Sequence, residues 1–258
     1  MRSSMSSLLS VMLALAALPA AAGEGTTEHR GAPPARSQPR ARVLWLQSAG
    51  LDRASVDSGR PEGFGRLART LFSKGFESEE AVDFNITKAL LQTCDVAAVV
   101  GTGRRYSNLE ARDIKSWVEG GGGLLVLAGP APTDTATRNT LIEAFGIRFT
   151  GERSIGRPEL VTDLEAHPVT RGVKAISGAL GFFLDAASPA RALARLEGKA
   201  VLAVSEHGKG RVAVLYSEQP WFNGPVDRRV VFTDLDGSDN QKLALSLLAW
   251  LAARPMPF

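Results

Sequence analysis

One cysteine and three histidines limit the nucleophilic and metal chemistry open to this chain. Cys94 lies in ALLQTCDVAAVV, at a helix end before an apolar strand, and reads as a small core residue. A lone thiol can form no intramolecular disulfide and no thiolate cluster. His29 falls in a polar leader, leaving His167 in EAHPVTRGV and His207 in SEHGKG, beside Glu206. Neither is in HxH or HExxH spacing, so no structural zinc site is expected. Two readings stand for each. His167 is a turn residue bonded to the backbone, with Thr170 and Arg171 fixing the loop, or a ligand contact at a pocket edge. Glu206 and His207 flank a tight hairpin turn at Gly208 and Gly210, or belong to a relocated hydrolytic site.

Two further stretches carry groups suited to binding. GTGRRYSN (101–108) follows an apolar strand and precedes a helix. In open α/β sheets ligands bind at such strand ends, and a helix N-terminus favours anions. Arg104, Arg105, Tyr106, Ser107 and Asn108 are therefore binding candidates; the competing reading is a solvated loop whose Ser107 caps the helix. SEQPWFNGPVDRRVVFTDLDGSDN (217–240) is about 20 residues long between a strand and a helix, where connections are normally far shorter. Trp221, Phe222 and Asn223 suit stacking on a sugar or docking a partner, or pin the loop to the core. Glu218 and Asp227 would form a glycosidic carboxylate pair only if about 5–9 Å apart. The acids of DLDGSD miss the EF-hand register. Ser238 and Asp239 read as helix capping, and no metal or cofactor is expected.

The elements that must position these residues follow from apolar spacing. Residues 43–47 (VLWLQ) form a first strand. Phe64, Leu67, Ala68, Leu71 and Phe72 recur as one face of a helix over 62–74, with Pro61 at its start and Gly75 at its stop. A strand over 76–82, a helix over 85–92 and a continuous apolar strand over 95–100 follow. Ser107 and Glu110 have capping-box spacing for a helix over 107–119 with Ala111, Ile114, Trp117 and Val118 on its buried face. GLLVLAG gives a strand over 123–128, and 134–145 a helix. This alternation implies a mostly parallel, doubly wound sheet. The second half is less regular: AVLAVSEHGKGRVAVLYSE reads as a hairpin, and SDNQKLALSLLAWLAA as a last helix capped by Ser238 with Gln241.

The remaining sequence bears on location. MRSSMSS, LLSVMLALAALPA and Ala20-Ala21-Ala22 have the layout of a secretory signal peptide over 1–22, with an uncleaved anchor as the alternative. Residues 23–41 read as a disordered linker and 42–258 as one α/β domain. Of 30 Lys and Arg and 27 Asp and Glu, five and two lie in residues 1–42, leaving 25 of each. The net charge of +3 therefore sits in the leader, and nucleic acid is not an expected partner. No other segment suits a membrane span, so the mature protein is expected to be periplasmic or secreted.

The helix ending in KGF, SNLEARDIKSWVEGGGGLLVLAG, HPVTRGV, GKGRVAVL and DNQKLALSLLAWLA, in that order over residues 42–252, resemble class I glutamine amidotransferase-like domains of the DUF4350 and ThuA-like groups. The resemblance implies a flavodoxin-like three-layer sandwich. The glutamine-hydrolysing members of that superfamily carry a cysteine at a strand-to-helix elbow. Here the corresponding elbow reads AGPAP: Gly129, Pro130 and Ala131 offer no nucleophile, and Pro130 offers no N–H for an oxyanion hole. The expectation is a binding module for a small molecule or protein partner without catalytic residues. The alternatives are a hydrolase with a relocated site acting on a carbohydrate or amide, and a structural partner-binding domain.

Overall fold

The apolar stretch around VLWLQ becomes β1 (Ala41–Gln47) at the heart of the sheet. Its side chains alternate: Val43 and Trp45 enter one core, Leu44 and Leu46 the other. Both faces are buried, as a near-continuous hydrophobic strand requires. The structure is a computed structural model that describes residues 39–47, 55–82, 85–101, 105–128, 139–154, 159–178, 181–224, 235–236 and 238–255.

β1 pairs in parallel with β2 (Phe76–Val82) and β3 (Val96–Val100), β3 with β4 (Gly123–Leu127), and β4 with β12 (Gly210–Leu215). The parallel block thus runs β2-β1-β3-β4-β12, a strand order consistent with a flavodoxin-like α/β fold. Helices cover both of its faces. α1 (Gly65–Ser73) and α4 (Asn240–Leu251) bury Leu67, Leu71 and Leu243–Leu251 against Val43, Trp45, Leu125 and Leu127. α2 (Lys88–Leu91) and α3 (Asn108–Glu119) bury Leu91, Ile114 and Val118 against Leu44, Leu46, Val99 and Val126. α4 is apolar around most of its circumference and accordingly the most enclosed helix.

Past β12 the sheet changes character. β11 (Lys199–His207), β10 (Arg191–Leu196) and β7 (Asp163–Leu164) extend it antiparallel, while β9 (Gly181–Ala186) pairs with both β11 and β5 (Ile147–Ser154). β6 (Glu159–Val161) and β8 (Ile176–Gly178) form a separate antiparallel pair. The sheet is therefore mixed, with its parallel part confined to five strands. The β11–β12 hairpin turns at Gly208 and Lys209, with Gly208 at φ 62°. Gly210 has no room for a side chain, since a Cβ there would lie 2.0 Å from the Val118 carbonyl oxygen.

Several elements differ from their sequence expectation. α1 begins at Gly65, and Pro61 lies in the turn before it. The helix expected over 85–92 shrinks to Lys88–Leu91, capped by Thr87. Of the helix expected over 134–145, residues 134–138 lie outside the described residues, Asn139 is helical, and Glu143–Phe145 form a 3₁₀ turn. The buried Asn139 side-chain amide donates to the Phe149 carbonyl and accepts from the Phe149 N–H, tying this stretch to β5. Ser238 does not cap α4. It takes φ 51°, and the residue preceding the helix, Asp239, turns its carboxylate to the N–H groups of Lys174 and Ala175. The signal peptide and most of the linker lie outside the described residues. Among those described, no helix is long and apolar enough to cross a membrane.

Candidate functional site

Five parallel strands end on one edge, at Gln47, Val82, Val100, Leu127 and Leu215. Open α/β sheets place ligands outside such carboxyl ends. The ladder is stitched one residue further. Gly101 donates its N–H to Leu127, Ala128 to Leu215, and Glu218 to Ala128, at 3.0–3.1 Å. These bonds bring the connections after β3, β4 and β12 side by side. Two buried polar residues mark the edge: Gln47 at the end of β1 and Glu218 after β12, 2% and 3% exposed. Gln47 was not among the residues singled out by sequence; a polar residue ending an otherwise apolar strand was the available signal. Residues 129–138, including the AGPAP elbow beyond Ala128, lie outside the described residues.

At the α3 entry, Arg105, Ser107 and Asn108 are exposed and Tyr106 is buried; Arg104 lies outside the described residues. The capping box is present in full. Ser107 Oγ accepts the Glu110 N–H at 3.2 Å, and Glu110 Oε2 accepts the Ser107 N–H at 2.9 Å. Glu110 Oε1 also accepts the Ile86 N–H, tying the approach to α2 onto α3. This helix N-terminus already faces a carboxylate of its own, which competes with any external anion.

The long connection after β12 turns its aromatic residues inward. Trp221 is fully buried, and Phe222 packs on Phe64 (centroids 5.5 Å apart), which stacks on Trp45 at 5.3 Å. Asn223 is spent on structure. Its Oδ1 accepts the Arg66 N–H at 2.6 Å, and its Nδ2 donates to the carbonyls of Ser58 (2.6 Å) and Arg60 (2.8 Å). These three residues pin the loop to the core. Asp227 lies outside the described residues, so its distance from Glu218 is not defined.

His167, Glu206, His207 and Cys94 gather instead at the opposite edge, where the parallel strands begin. His167 Nδ1 accepts the Val169 N–H at 3.2 Å and caps the 3₁₀ turn Pro168–Thr170. Its ring meets Trp250 edge-on at 5.3 Å. Burial, and after it the nearby Arg191 guanidinium, holds its pKa below the ordinary histidine value. His207 Nε2 lies 3.2 Å from Glu119 Oε1. The Lys115 ammonium first, then His207, lowers the Glu119 carboxyl. The Cys94 thiol donates to the Leu91 carbonyl, and burial pushes it up to about 12. No group of three or more His, Cys, Asp or Glu side chains could hold a metal among the described residues.

The family described as "Domain of unknown function (DUF4350)" matches residues 56–248. The chain belongs to the DUF4350 family. No curated protein matches it by sequence. Among solved structures, this DUF4350 chain is similar to the mmIFT52 N-terminal domain, with a TM-score of 0.62 and 19% identity over 81% of this chain and 96% of that one. A ThuA-like protein from Bacteroides uniformis superposes with a TM-score of 0.55 at 17% identity, over 85% and 95% of the two chains. The cold-adapted β-galactosidase from Rahnella sp. R3 matches with a TM-score of 0.55 at 16% identity, over 84% of this chain and 32% of its own. At such identities the likeness concerns the fold alone. Its range, from a free-standing ThuA-like protein to one part of a larger enzyme, leaves function to be argued from the residues.

Proposed function

We propose that this DUF4350 domain is a non-catalytic, glutamine amidotransferase-like binding module of a secreted or periplasmic protein. It takes a small molecule or a protein partner at the carboxyl edge of its parallel strands. The observation that carries the reading is the separation of its reactive groups. The single thiol lies at the amino edge and is held protonated, and both described histidines lie at that same edge. No thiolate and imidazole converge at the carboxyl edge among the described residues, where an amidotransferase reaction would need them. The AGPAP elbow, with no side chain able to attack a carbonyl, agrees. α1 and α4 on one face and α2 and α3 on the other support a doubly wound, three-layer arrangement of the parallel block.

The alternative, a hydrolase acting on a carbohydrate or amide, rests on Glu218, the buried carboxylate at the carboxyl edge. A thermal-shift screen of the full chain against sugars, amino acids, nucleotides and divalent ions separates the two. A ligand that binds only the folded state raises Tm by mass action. The binding reading expects hits within one chemical class, recovered unchanged after incubation. Recovery of a cleaved product, or no stabilising ligand in any class, would contradict it.

A further inference from the structure

The residues at the amino edge form a second constellation that the proposed function does not use. A cleft of about 660 Å³ is lined by His167, Arg191, Glu206, Arg211, Trp250 and Arg254, among others. It is built from four separate elements: the turn after β7, the start of β10, the β11–β12 hairpin and the end of α4. We propose that this cleft is a binding site for an oxyanion, a carboxylate or phosphate carried by a small molecule.

The charge balance favours an anion. Glu165 is shared by Arg191, which donates to it through Nε and Nη2, and by Arg195 at 3.8 Å. One carboxylate therefore serves two guanidiniums. Arg211 is held without a carboxylate: it donates to the Trp250 carbonyl and lies over the Trp250 ring at 5.3 Å. It forms no ion pair among the described residues while its position is anchored, the arrangement that lowers the entropic cost of binding. Arg254 has no ion-pair partner among the described residues. Against these stands Glu206, directly across the hairpin from Arg211 and not within ion-pair distance of any described cation.

Two further features bear on the site. A helix C-terminus normally repels anions, and α4 ends at this cleft. Three of its last four carbonyls are already engaged: Leu248 by the Ala252 N–H, Ala249 by the Arg254 N–H, and Trp250 by both the Ala253 N–H and Arg211. The backbone turn that achieves this has Ala253 at φ 52° and carries Arg254 onto the cleft wall. The second feature is the fixed tautomer of His167. Because Nδ1 accepts from Val169, the neutral ring keeps its proton on Nε2 and has a donor left to give. Two guanidiniums without a carboxylate partner among the described residues, Arg211 and Arg254, and one imidazole N–H around one concavity, with the Glu165-paired Arg191 beside them, suit the planar or tetrahedral oxygens of a carboxylate or phosphate.

The test uses sign as well as size. Binding of inorganic phosphate, and separately of succinate, is measured by calorimetry on the full chain at low ionic strength. Arg254→Gln removes a charge-assisted hydrogen bond and should weaken binding by about tenfold or more. Glu206→Gln removes the opposing charge and should tighten it by a few-fold, roughly. Tightening cannot arise from a damaged fold. Arg112→Gln, an exposed arginine on α3, has the same effect on net charge as Arg254→Gln and should leave affinity unchanged. The stronger of the two probes identifies the oxyanion class. The proposal is overturned if neither probe binds saturably to the wild-type chain. It is equally overturned if Arg254→Gln and Glu206→Gln act in the same direction, or if all three variants behave alike, which would mark an adventitious ion only.

Discussion

Replacing Asn223 by alanine tests whether the long connection after β12 is held by structure or reserved for a ligand. The side chain is 7% exposed and makes three hydrogen bonds to backbone groups, each 2.6–2.8 Å long. Removing it leaves the part-buried Arg66 N–H without its acceptor and takes one of two hydrogen bonds from each of the Ser58 and Arg60 carbonyls, which keep the N–H groups of Gly65 and Gly63. A net hydrogen bond contributes about 1 kcal/mol, and a buried group left without a partner costs about 1–3 kcal/mol. Some of these groups will recover water through local opening, so the expected loss is about 3 kcal/mol. For a domain of this size that lowers Tm by roughly 6–12 °C. The neighbouring Arg66–Asp236 pair is a contrast. It is 2.6 Å long but 40% and 58% exposed, and Asp236→Ala should cost less than about 1 kcal/mol. Urea unfolding of the full chain, followed by circular dichroism, measures both. A loss below about 1 kcal/mol for Asn223→Ala would refute the clamp and return Asn223 to the ligand-binding candidates.

Other expectations follow from the same geometry. Cys94, raised from 9.0 to about 12, carries about a thousandfold less thiolate near pH 8 than an unperturbed thiol. Its reaction with a disulfide reagent should accordingly be slow in buffer and fast in urea; equal rates would contradict its burial. His167 has a folded pKa below its unfolded value near 6.5. The unfolded chain then binds the proton more readily, so the stability contributed by the neutral ring is complete above about pH 6.5 and declines as pH falls through that value. Urea midpoints of the wild type and of His167→Asn, which keeps a capping acceptor, should converge between about pH 7.5 and 5; a constant difference would contradict the assignment. Gly210→Ala drives a Cβ to 2.0 Å from the Val118 oxygen and 2.4 Å from the Gly122 oxygen, both backbone atoms. It should destabilise by about 3 kcal/mol, read as a lower urea midpoint.

What could be read from the sequence was what depends on near neighbours. Val43–Leu46, Val96–Val100 and Gly123–Leu127 are unbroken apolar runs, and each lies in a strand buried on both faces. Ser107 and Glu110 form their capping box because both partners lie in one helical turn. Ser238 and Gln241 have the same spacing and fail, because Asp239 finds better partners in Lys174 and Ala175, more than 60 residues away. The Asn139 side chain likewise pairs with the Phe149 backbone, a partner outside its own helical turn. The antiparallel extension was illegible beyond its hairpin, since strands such as Asp163–Leu164 are too short for a period to register. The site followed the same division. Trp221, Phe222 and Asn223 stood out by composition, but only the packing on Phe64 and the bonds to Arg66, Ser58 and Arg60 show that they face inward. Conversely, His167 and Glu206 are far apart in sequence and meet at one cleft because β11 and the 3₁₀ turn both reach the amino edge.

The claim that the scaffold binds without turning over is tested most directly by product analysis. The full chain and its Glu218→Gln variant are incubated with glutamine, asparagine and a panel of nitrophenyl glycosides. Released ammonia, nitrophenol and free sugar are followed over a day. The account predicts release at the buffer rate for both proteins. Sustained release by the wild type that disappears in Glu218→Gln would contradict it and establish a hydrolase centred on that carboxylate.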